Sequence, residues 1–346
     1  MYNKTAGIGL IGCGMIADWH ANAVSKISAA RLVGVTDLNK EARLSFAGRY
    51  GVRAFDSVEE MLAYNEIDIL NICTPSGLHA PLSIKAANAG KHVIIEKPMA
   101  LNLKEADEVI AACRKNNVKM EVISQLRFTD AVGKLKNAVD EGLLGRLISG
   151  DVYMKYYRSQ EYYDRGGWRG TMKMDGGGAL MNQGIHGIDL LLHVMGPVKS
   201  VFANTRTLAR KIEVEDTAAA LLEFENGALG VIQGTTSIFP GSPRRLEICG
   251  DRGTITLEED TITGWSIEGR ELPKDVALGH TKASSASNPA GMGLEGHILQ
   301  IADMVGAVME DRRPLVDEHE GRKPIELIMA IYESSRTGRL IEFLEA

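Results

Sequence analysis

Six short apolar runs alternate with helix-like segments between residue 6 and about residue 125, and this rhythm constrains the fold more than any other feature. The runs are IGLI (Ile8–Ile11), LVGVT (Leu32–Thr36), VRAF (Val52–Phe55), IDILNI (Ile67–Ile72), HVII (His92–Ile95) and MEVIS (Met120–Ser124). A helix start is marked by Ser57 with Glu60 three residues on, a capping-box pattern. Another helix runs from about Pro81 to Asn88 and is expected to stop at Gly90, where glycine can end a helix in a left-handed conformation. Strands and helices repeating with short links predict a parallel sheet covered on both faces. With 346 residues the chain has room for a second domain with its own core.

Beyond residue 130 the rhythm changes. One helix precedes GLLGRL and a second spans roughly Ala179–Met195. Long alternating strands follow, with turn chemistry in ENG (Glu225–Gly227) and GDRG (Gly250–Gly253). This predicts a mostly antiparallel sheet with helices on one face, an α+β domain. The stretch GHTKASSASNPAGMG (279–293) has loop composition. Two helices, near His297–Asp311 and Lys323–Thr337, finish the chain. The expected domains are residues 1–125 and 126–346.

Composition removes several partner classes. The formal net charge of -6, with no clustered basic face, argues against nucleic acid. No apolar stretch approaches the roughly 20 residues of a membrane helix, so no membrane partner is expected. The N-terminus lacks the layout of a signal peptide. Cys13, Cys73, Cys113 and Cys249 show no CxxC spacing and read as free thiols of a reducing compartment, which implies a cytoplasmic protein.

In an open parallel sheet, ligands sit beyond the carboxyl ends of the strands. After the first run come Gly12, Gly14 and Ala17 in GLIGCGMIADWH, a G-x-G-x-x-A turn that lets backbone approach a pyrophosphate at a helix N-terminus. After the second comes Asp37, where a carboxylate can accept from ribose hydroxyls and repel a 2′-phosphate. NAD is therefore expected over NADP, although Lys40 and Arg43 lie nearby. After the fourth run comes CTPSGLHA and after the fifth EKPMA. The residues expected to hold the dinucleotide are Gly12, Gly14, Met15, Ile16, Asp37, Thr74, Pro75, His79, Glu96 and Lys97. Thr74-Pro75 also reads as a plain turn and Lys97 as a solvated charge. At a strand's carboxyl end, however, an ammonium can hydrogen-bond a substrate oxygen.

The second half is most informative in DGGGALMNQGIHGIDLLLHVMG (Asp175–Gly196). Met181, Ile185, Ile188, Leu192 and Met195 form an apolar stripe at helical spacing. Beside it, Asn182, His186, Asp189 and His193 recur at spacings of four, three and four and are expected to share a face. Three readings stand: a structural polar seam, a metal site, or a catalytic face with His186 as general base. No cysteine joins the group and HExxH is absent, so no metal is expected. Upstream, YMKYYRSQEYYDRGGWRGTMKM concentrates tyrosines, a tryptophan and arginines, side chains suited to sugar rings and to carboxylates or phosphates. A merely tyrosine-rich strand and loop is the other reading.

Together these stretches resemble the glucose–fructose oxidoreductase / inositol dehydrogenase (Gfo/Idh/MocA) family. The resemblance runs nearly the whole chain and rests on GLIGCGMIADWHANAV, on TPxxxH and EKP, on GGGxLMxxGxHxID and on the ending AIYESSRTGRLIEF. It implies an NAD-binding α/β Rossmann domain, then an α+β domain with a large, mostly antiparallel open sheet that builds a homodimer or homotetramer. It also implies a catalytic set of the EKP lysine with a D-x-x-x-H pair. Lys97 and His186 match, whereas Asn182 stands where the family usually has aspartate. Asparagine can orient a hydroxyl but carries no charge, so His186 is expected to act as the base alone.

The expected reaction is hydride transfer between a ring hydroxyl of a small carbohydrate (a sugar, sugar acid or cyclitol) and nicotinamide. His186 takes the hydroxyl proton and Lys97 stabilises the oxygen. Arg127, Tyr156, Trp168 and Arg169 are expected to hold the rest of the substrate with Asn182 and His186. A nucleotide-linked N-acetyl sugar or uronate oxidised at C3 is the alternative, which the arginines near 158–169 and Asn182 favour. A transiently oxidising glycosidase and a non-catalytic NAD-binding regulator are the others.

Overall fold

Strand β1 (Ala6–Ile11) is buried at every position and pairs in parallel with β2 (Ala30–Thr36) on one side and with β4 (Ile69–Ile72) on the other. Adding β3 (Arg53–Ala54), β5 (His92–Ile95) and β6 (Met120–Val122) gives a six-stranded, all-parallel sheet in the order β3-β2-β1-β4-β5-β6. The strand order reverses between β1 and β4, which is where such sheets bind ligands. Continuous apolar strands follow from cover on both faces. Ile8, Leu10, Val35, Ile69 and Ile94 share one core with Ala17 and Val24 of the helix Met15–Val24 and with Phe46 of the helix Lys40–Tyr50. The computed structural model describes residues 5–279 and 293–343.

Local signals act as expected, with one variation. Ser57 Oγ accepts from Glu60 N, but the Glu60 carboxylate reaches past the cap to Asp56 N rather than to Ser57 N. The helix His79–Asn88 ends ahead of Gly90, whose φ is +73°.

The chain divides into two units, one holding residues up to 125 with 294–322, the other 126–293 with 323 onward. This differs from a second domain running unbroken over 126–346. The helix Glu295–Met309 packs on the helix Met15–Val24 and on β5, burying Ile301, Met304 and Val305 in the nucleotide-sheet core. The sequence places a helix near His297–Asp311 but does not say which sheet buries it.

The second unit is built on eight strands: β7 (Leu147–Lys155), β8 (Val198–Arg206), β9 (Thr217–Phe224), β10 (Leu229–Thr235), β11 (Arg245–Gly250), β12 (Gly253–Glu258), β13 (Thr261–Ile267) and β14 (Ile341–Glu342). Their order is β13-β12-β11-β7-β10-β9-β8-β14, antiparallel throughout except for the β7·β10 pair. The hairpin turns fall at ENG, between β9 and β10, and at GDRG, between β11 and β12. One face carries the core, in which Met154, Phe224, Ile232 and Ile248 meet Leu135 of the helix Asp130–Asp140, Leu191 of the helix Ile185–Met195, and Ile328. On the other face Phe202, Leu221 and Leu229 are exposed. Of the stretch 279–293, residues 280–292 lie outside the described residues.

Candidate active site

The glycine turn after β1 needs its glycines for separate reasons. Gly12 has φ +101°, and a Cβ there would sit 2.5 Å from the Cys73 carbonyl oxygen. Both conditions exclude an L side chain. A Cβ on Gly14 would meet no protein atom within 4 Å, so nothing in this chain demands the bare backbone there. Gly14 is the N-cap of the helix Met15–Val24 and offers no side-chain cap. The first N–H groups of that helix are left for an anion. Met15 is exposed and Ile16 half-buried at the same turn.

Asp37, after β2, is fixed by its neighbours. Its carboxylate accepts from Cys13 N at 2.8 Å and Asn39 N at 2.7 Å, tying the end of β2 to the glycine turn. Each carboxylate oxygen has a second lone pair for a hydroxyl. Arg43, which had raised the prospect of a 2′-phosphate, is buried and donates to the Asp37 carbonyl, the Asp56 carbonyl and the Asp56 carboxylate. After β4, the Thr74 hydroxyl is buried with no partner in the protein, an orphan polar atom of the kind a ligand satisfies. Pro75 lies half-buried beside it. The uncapped helix end, the orphan hydroxyl and the open space over Gly14 all fit a dinucleotide.

His79 braces this rim. Its Nδ1 lies 2.6 Å from the Pro98 carbonyl and its Nε2 2.8 Å from the Thr74 carbonyl, linking the segments after β5 and β4. Burial holds the imidazole below its usual pKa, against the two carbonyls, which favour the cation.

Glu96 and Lys97 close the row after β5. Glu96 is buried and its Oε1 accepts from His20 Nε2 at 2.9 Å, while Asn71 Nδ2 lies 2.9 Å from His20 Nδ1. With the Asn71 amide as donor, the His20 proton sits on Nε2, directed at Glu96. His297, fully buried, lies 4.0 Å from the same Glu96 oxygen. Burial by itself would raise the Glu96 carboxyl. The hydrogen bond from His20 and the nearby His20, His297 and Lys97 side chains outweigh it and bring the carboxyl down to about 2. Among the described residues, His20, Glu96 and His297 are the histidine–carboxylate group whose ligand atoms approach closely enough to share an ion. Within it His20 and Glu96 form a hydrogen-bonded brace next to Lys97, and His297 stands beside Glu96 without a hydrogen bond to it. The half-buried Lys97 is anchored through its own N–H, which donates to Glu96 Oε2 at 3.2 Å.

The brace has a consequence for acid stability. Burial first, then the neighbouring His20, push the His297 imidazole down from 6.5 to about 4. The unfolded chain takes up that proton below about pH 6.5, whereas the folded chain refuses it until about pH 4. Stability therefore falls as pH is lowered through this window, by up to about 3 kcal/mol. The Glu96 contribution is lost at lower pH, as its carboxyl protonates. Thermal melts between pH 7 and 4.5 are expected to fall less steeply for His297→Gln than for the wild type; equal slopes would remove His297 as the cause.

In the second unit, the stretch expected as one helix over 179–195 is two structures. Residues Ala179–Gly184 form a π-helical turn and an ordinary helix begins at Ile185. Glu215 anchors the start of the π-turn. Its carboxylate accepts from Gly178 N at 2.8 Å and Leu180 N at 2.9 Å, and its backbone carbonyl accepts from Ala179 N. A Cβ on Gly178 would sit 1.7 Å from the Glu215 carbonyl oxygen, so the close approach is possible only for glycine. Burial raises the Glu215 carboxyl, opposed by these N–H donors and by the Tyr332 hydroxyl. The wider turn interrupts the regular polar stripe between Asn182 and His186. π-turns of this kind gather at functional sites.

The members of the stripe separate accordingly. Asp189 is buried and receives both Arg127 Nε (2.9 Å) and Nη2 (2.7 Å), a two-pronged ion pair between the segment after β6 and the helix. Arg127 was expected on the substrate; this pairing gives it a structural task, and for Asp189 the polar-seam reading holds. Tyr156 is buried in the core. His186 and Asn182 are half-buried. Asn182 Nδ2 donates to Asp175 Oδ1 at 2.6 Å and its Oδ1 accepts from Gln183 Nε2 at 2.9 Å. Gln183 in turn accepts from the buried Arg158 and donates to the Tyr162 hydroxyl. The Arg169 guanidinium lies 4.7 Å from the Tyr162 ring and 4.9 Å from that of Trp168, a half-buried cation–aromatic stack.

No local pattern marks Asp175, Glu215, His20, Asn71 or His297 as site residues. Asp175 heads the DGGG stretch. The others join partners too distant in the chain for any local pattern to pair.

Comparison with known proteins agrees with this geometry. Residues 6–124 match the family described as "Oxidoreductase family, NAD-binding Rossmann fold", and residues 132–256 match the GFO/IDH/MocA C-terminal domain. The chain is similar to the WlbA dehydrogenase from Bordetella pertussis, solved in complex with NADH and UDP-GlcNAcA: 35% identical, TM-score 0.89, covering 99% of this chain and all of that one. Myo-inositol 2-dehydrogenase of Thermotoga maritima is 30% identical over 272 residues, 74% of this chain and 77% of that protein. The NAD-dependent scyllo-inositol 2-dehydrogenase of Bacillus subtilis is 25% identical over 96% of this chain and 95% of that protein. With its two domain matches in the order the motifs announced, and with a nucleotide turn built as that chemistry requires, this chain belongs to the Gfo/Idh/MocA family of NAD-binding oxidoreductases.

Proposed function

We propose that the chain oxidises a ring hydroxyl of a sugar-type substrate, or reduces the corresponding ketone, with NAD as hydride carrier. The observation that carries this reading is the buried Glu96 brace, which holds the strand-end lysine of EKP in a chain that also retains the GxHxID histidine. Bound NAD supplies the hydride acceptor. His186 takes the proton of the reacting hydroxyl and Lys97 hydrogen-bonds the same oxygen as negative charge develops there. Asn182 orients the hydroxyl. Gly12, Gly14 and the helix N-terminus hold the pyrophosphate, Asp37 the adenosine ribose, and Thr74 the nicotinamide half. The open sheet face with Phe202, Leu221 and Leu229 supports the homodimer or homotetramer that the resemblance implies.

A nucleotide-linked sugar acid is the finer reading we favour. Similarity to WlbA runs the full chain at 35%, above the 30% and 25% to the inositol dehydrogenases. The half-buried Arg169, stacked on Tyr162 and Trp168, offers a guanidinium and ring faces to such a substrate, with the buried Arg158 behind them. The test is NADH absorbance with inositols, free aldoses and their acids, and UDP-N-acetyl sugars and uronates. Turnover confined to UDP-linked sugars supports the finer reading, turnover of free polyols refutes it, and no turnover with any ring hydroxyl overturns both.

Cofactor choice is tested at Asp37. With Arg43 buried on Asp56, the carboxylate is the charge a 2′-phosphate would meet. Asp37→Ser is expected to cut the NAD-over-NADP ratio of kcat/KM at least about tenfold, the free-energy equivalent of one charge–charge contact at a partly exposed site. An unchanged ratio would remove Asp37 from cofactor selection.

A further inference from the structure

We propose that Asp175 is the carboxylate of this site: it positions the Asn182 amide, and its presence is the reason the chain carries an amide at 182. The inference rests on the reading of Asn182 and His186 as substrate-facing. Asp175 is 1% exposed, and both its oxygens are engaged. Oδ2 accepts from Gly170 N at 2.9 Å, in the WRGT stretch, and Oδ1 accepts from Asn182 Nδ2 at 2.6 Å. The amide is thereby oriented, with its NH2 toward Asp175 and its Oδ1 toward Gln183.

The pair explains the departure from the D-x-x-x-H pattern in physical terms. A carboxylate at 182 would face the buried Asp175 across a hydrogen-bond distance. Two carboxylates so placed cannot both ionise; they share a proton, and one titrates well above the usual range. An amide at 182 avoids that conflict and keeps the contact as a charge-assisted hydrogen bond. The negative charge has moved from the residue one turn before His186 to a residue on the preceding loop, and acts through the amide. Around it stand Tyr163 of the helix Gln160–Asp164 and Tyr332, both sensing the Asp175 charge. Glu215 is bonded to Tyr332, Arg158 connects through Gln183, and His186 follows on the next helix.

The geometry dictates what each substitution does. In Asp175→Asn the new amide accepts from only one of Gly170 N–H and Asn182 N–H and presents its own NH2 to the other donor, so one bond is lost. In Asn182→Asp the two carboxylates meet. In the exchange D175N/N182D, the amide at 175 accepts Gly170 N–H at Oδ1 and donates to the carboxylate at 182, which still accepts from Gln183. Both bonds of the pair survive with the charge on the other partner.

The experiment measures kcat, KM and thermal melting from pH 5.5 to 8.5 for the wild type, D175N, N182D and the exchange, with kcat read at 25 °C where each is folded. For N182D, kcat is expected to fall at least about 30-fold below wild type at pH 8, and the deficit to shrink severalfold toward pH 5.5 as the shared proton returns. D175N is expected to lose kcat more than KM changes. The exchange is expected to recover at least tenfold over N182D at pH 8 and to lose the extra pH dependence. If N182D keeps wild-type kcat at every pH while its melting point drops at high pH, Asp175 is only a loop brace and the proposal fails. It also fails if the exchange is no better than N182D. If the wild type turns over no carbohydrate, the functional reading fails instead. The pair is then decided by melting alone: a high-pH loss in N182D that the exchange reverses upholds the repulsion, and its absence overturns it.

Discussion

His186→Ala is expected to lower the rate of hydride transfer about 10³-fold while leaving NADH binding within a few fold. Proton removal by a positioned base contributes about 10²–10⁴ in rate. The hydroxyl cannot surrender hydride from carbon unless its proton departs, and no other imidazole stands on the GxHxID segment until His193, two turns on. His186 lies in the first turn of the helix Ile185–Met195, immediately after the π-helical turn, on a segment anchored by Glu215 and by the Arg127–Asp189 ion pair. Truncating it removes an imidazole from a half-buried position without touching those anchors. NADH fluorescence separates the steps, because the nucleotide turn belongs to the other unit. Loss of kcat with retained NADH affinity upholds the assignment. A rate within tenfold of wild type would show that another group takes the proton.

The second large effect is expected from Gly12→Ala. The residue needs φ +101°, and its Cβ would press to 2.5 Å from a backbone oxygen of Cys73 on the neighbouring segment. Neither can relax cheaply: the backbone angle costs about 1–3 kcal/mol, and the oxygen belongs to the chain leaving β4. The turn must shift, carrying with it the Gly12 N–H bond to the Thr36 carbonyl and the Cys13 N–H bond to Asp37. We expect NADH to bind at least about 100-fold more weakly by fluorescence titration, with a stability loss of about 2–4 kcal/mol. Gly14→Ala makes the control. Its Cβ meets no protein atom and its backbone is extended (φ -79°, ψ -174°), so it should leave the melting point almost unchanged. Any loss of NADH affinity in that variant would report directly on close approach of the cofactor.

Local and repeating features of the sequence determined a great deal. The six apolar runs became six parallel strands; the central β1 and β4 are buried at every position because the sheet is covered on both faces, whereas β3 has the exposed Arg53. Gly12, Asp37 and the EKP lysine were legible because each follows a strand end, and a parallel sheet aligns its strand ends. ENG and GDRG announced their hairpins through turn chemistry within four residues. What only the tertiary structure decided depends on partners far apart in the chain. The helix Glu295–Met309 has an apolar stripe that would suit either core, and packing selected the nucleotide sheet. The spacing of the polar residues over 182–193 predicts a regular helix with a period of 3.6 residues. The backbone instead takes a wider turn over Ala179–Gly184, and its first N–H groups are held by Glu215, more than thirty residues on, a partner no local propensity encodes. Arg127 looked like a ligand for substrate until Asp189 took both of its prongs. Asp175 is nearer, seven residues before Asn182, yet no repeating pattern signals that their side chains meet. Periodicity reports which faces must be hidden from water; which polar group meets which is set by distance in space, and a buried charge takes whichever partner the fold brings within 3 Å.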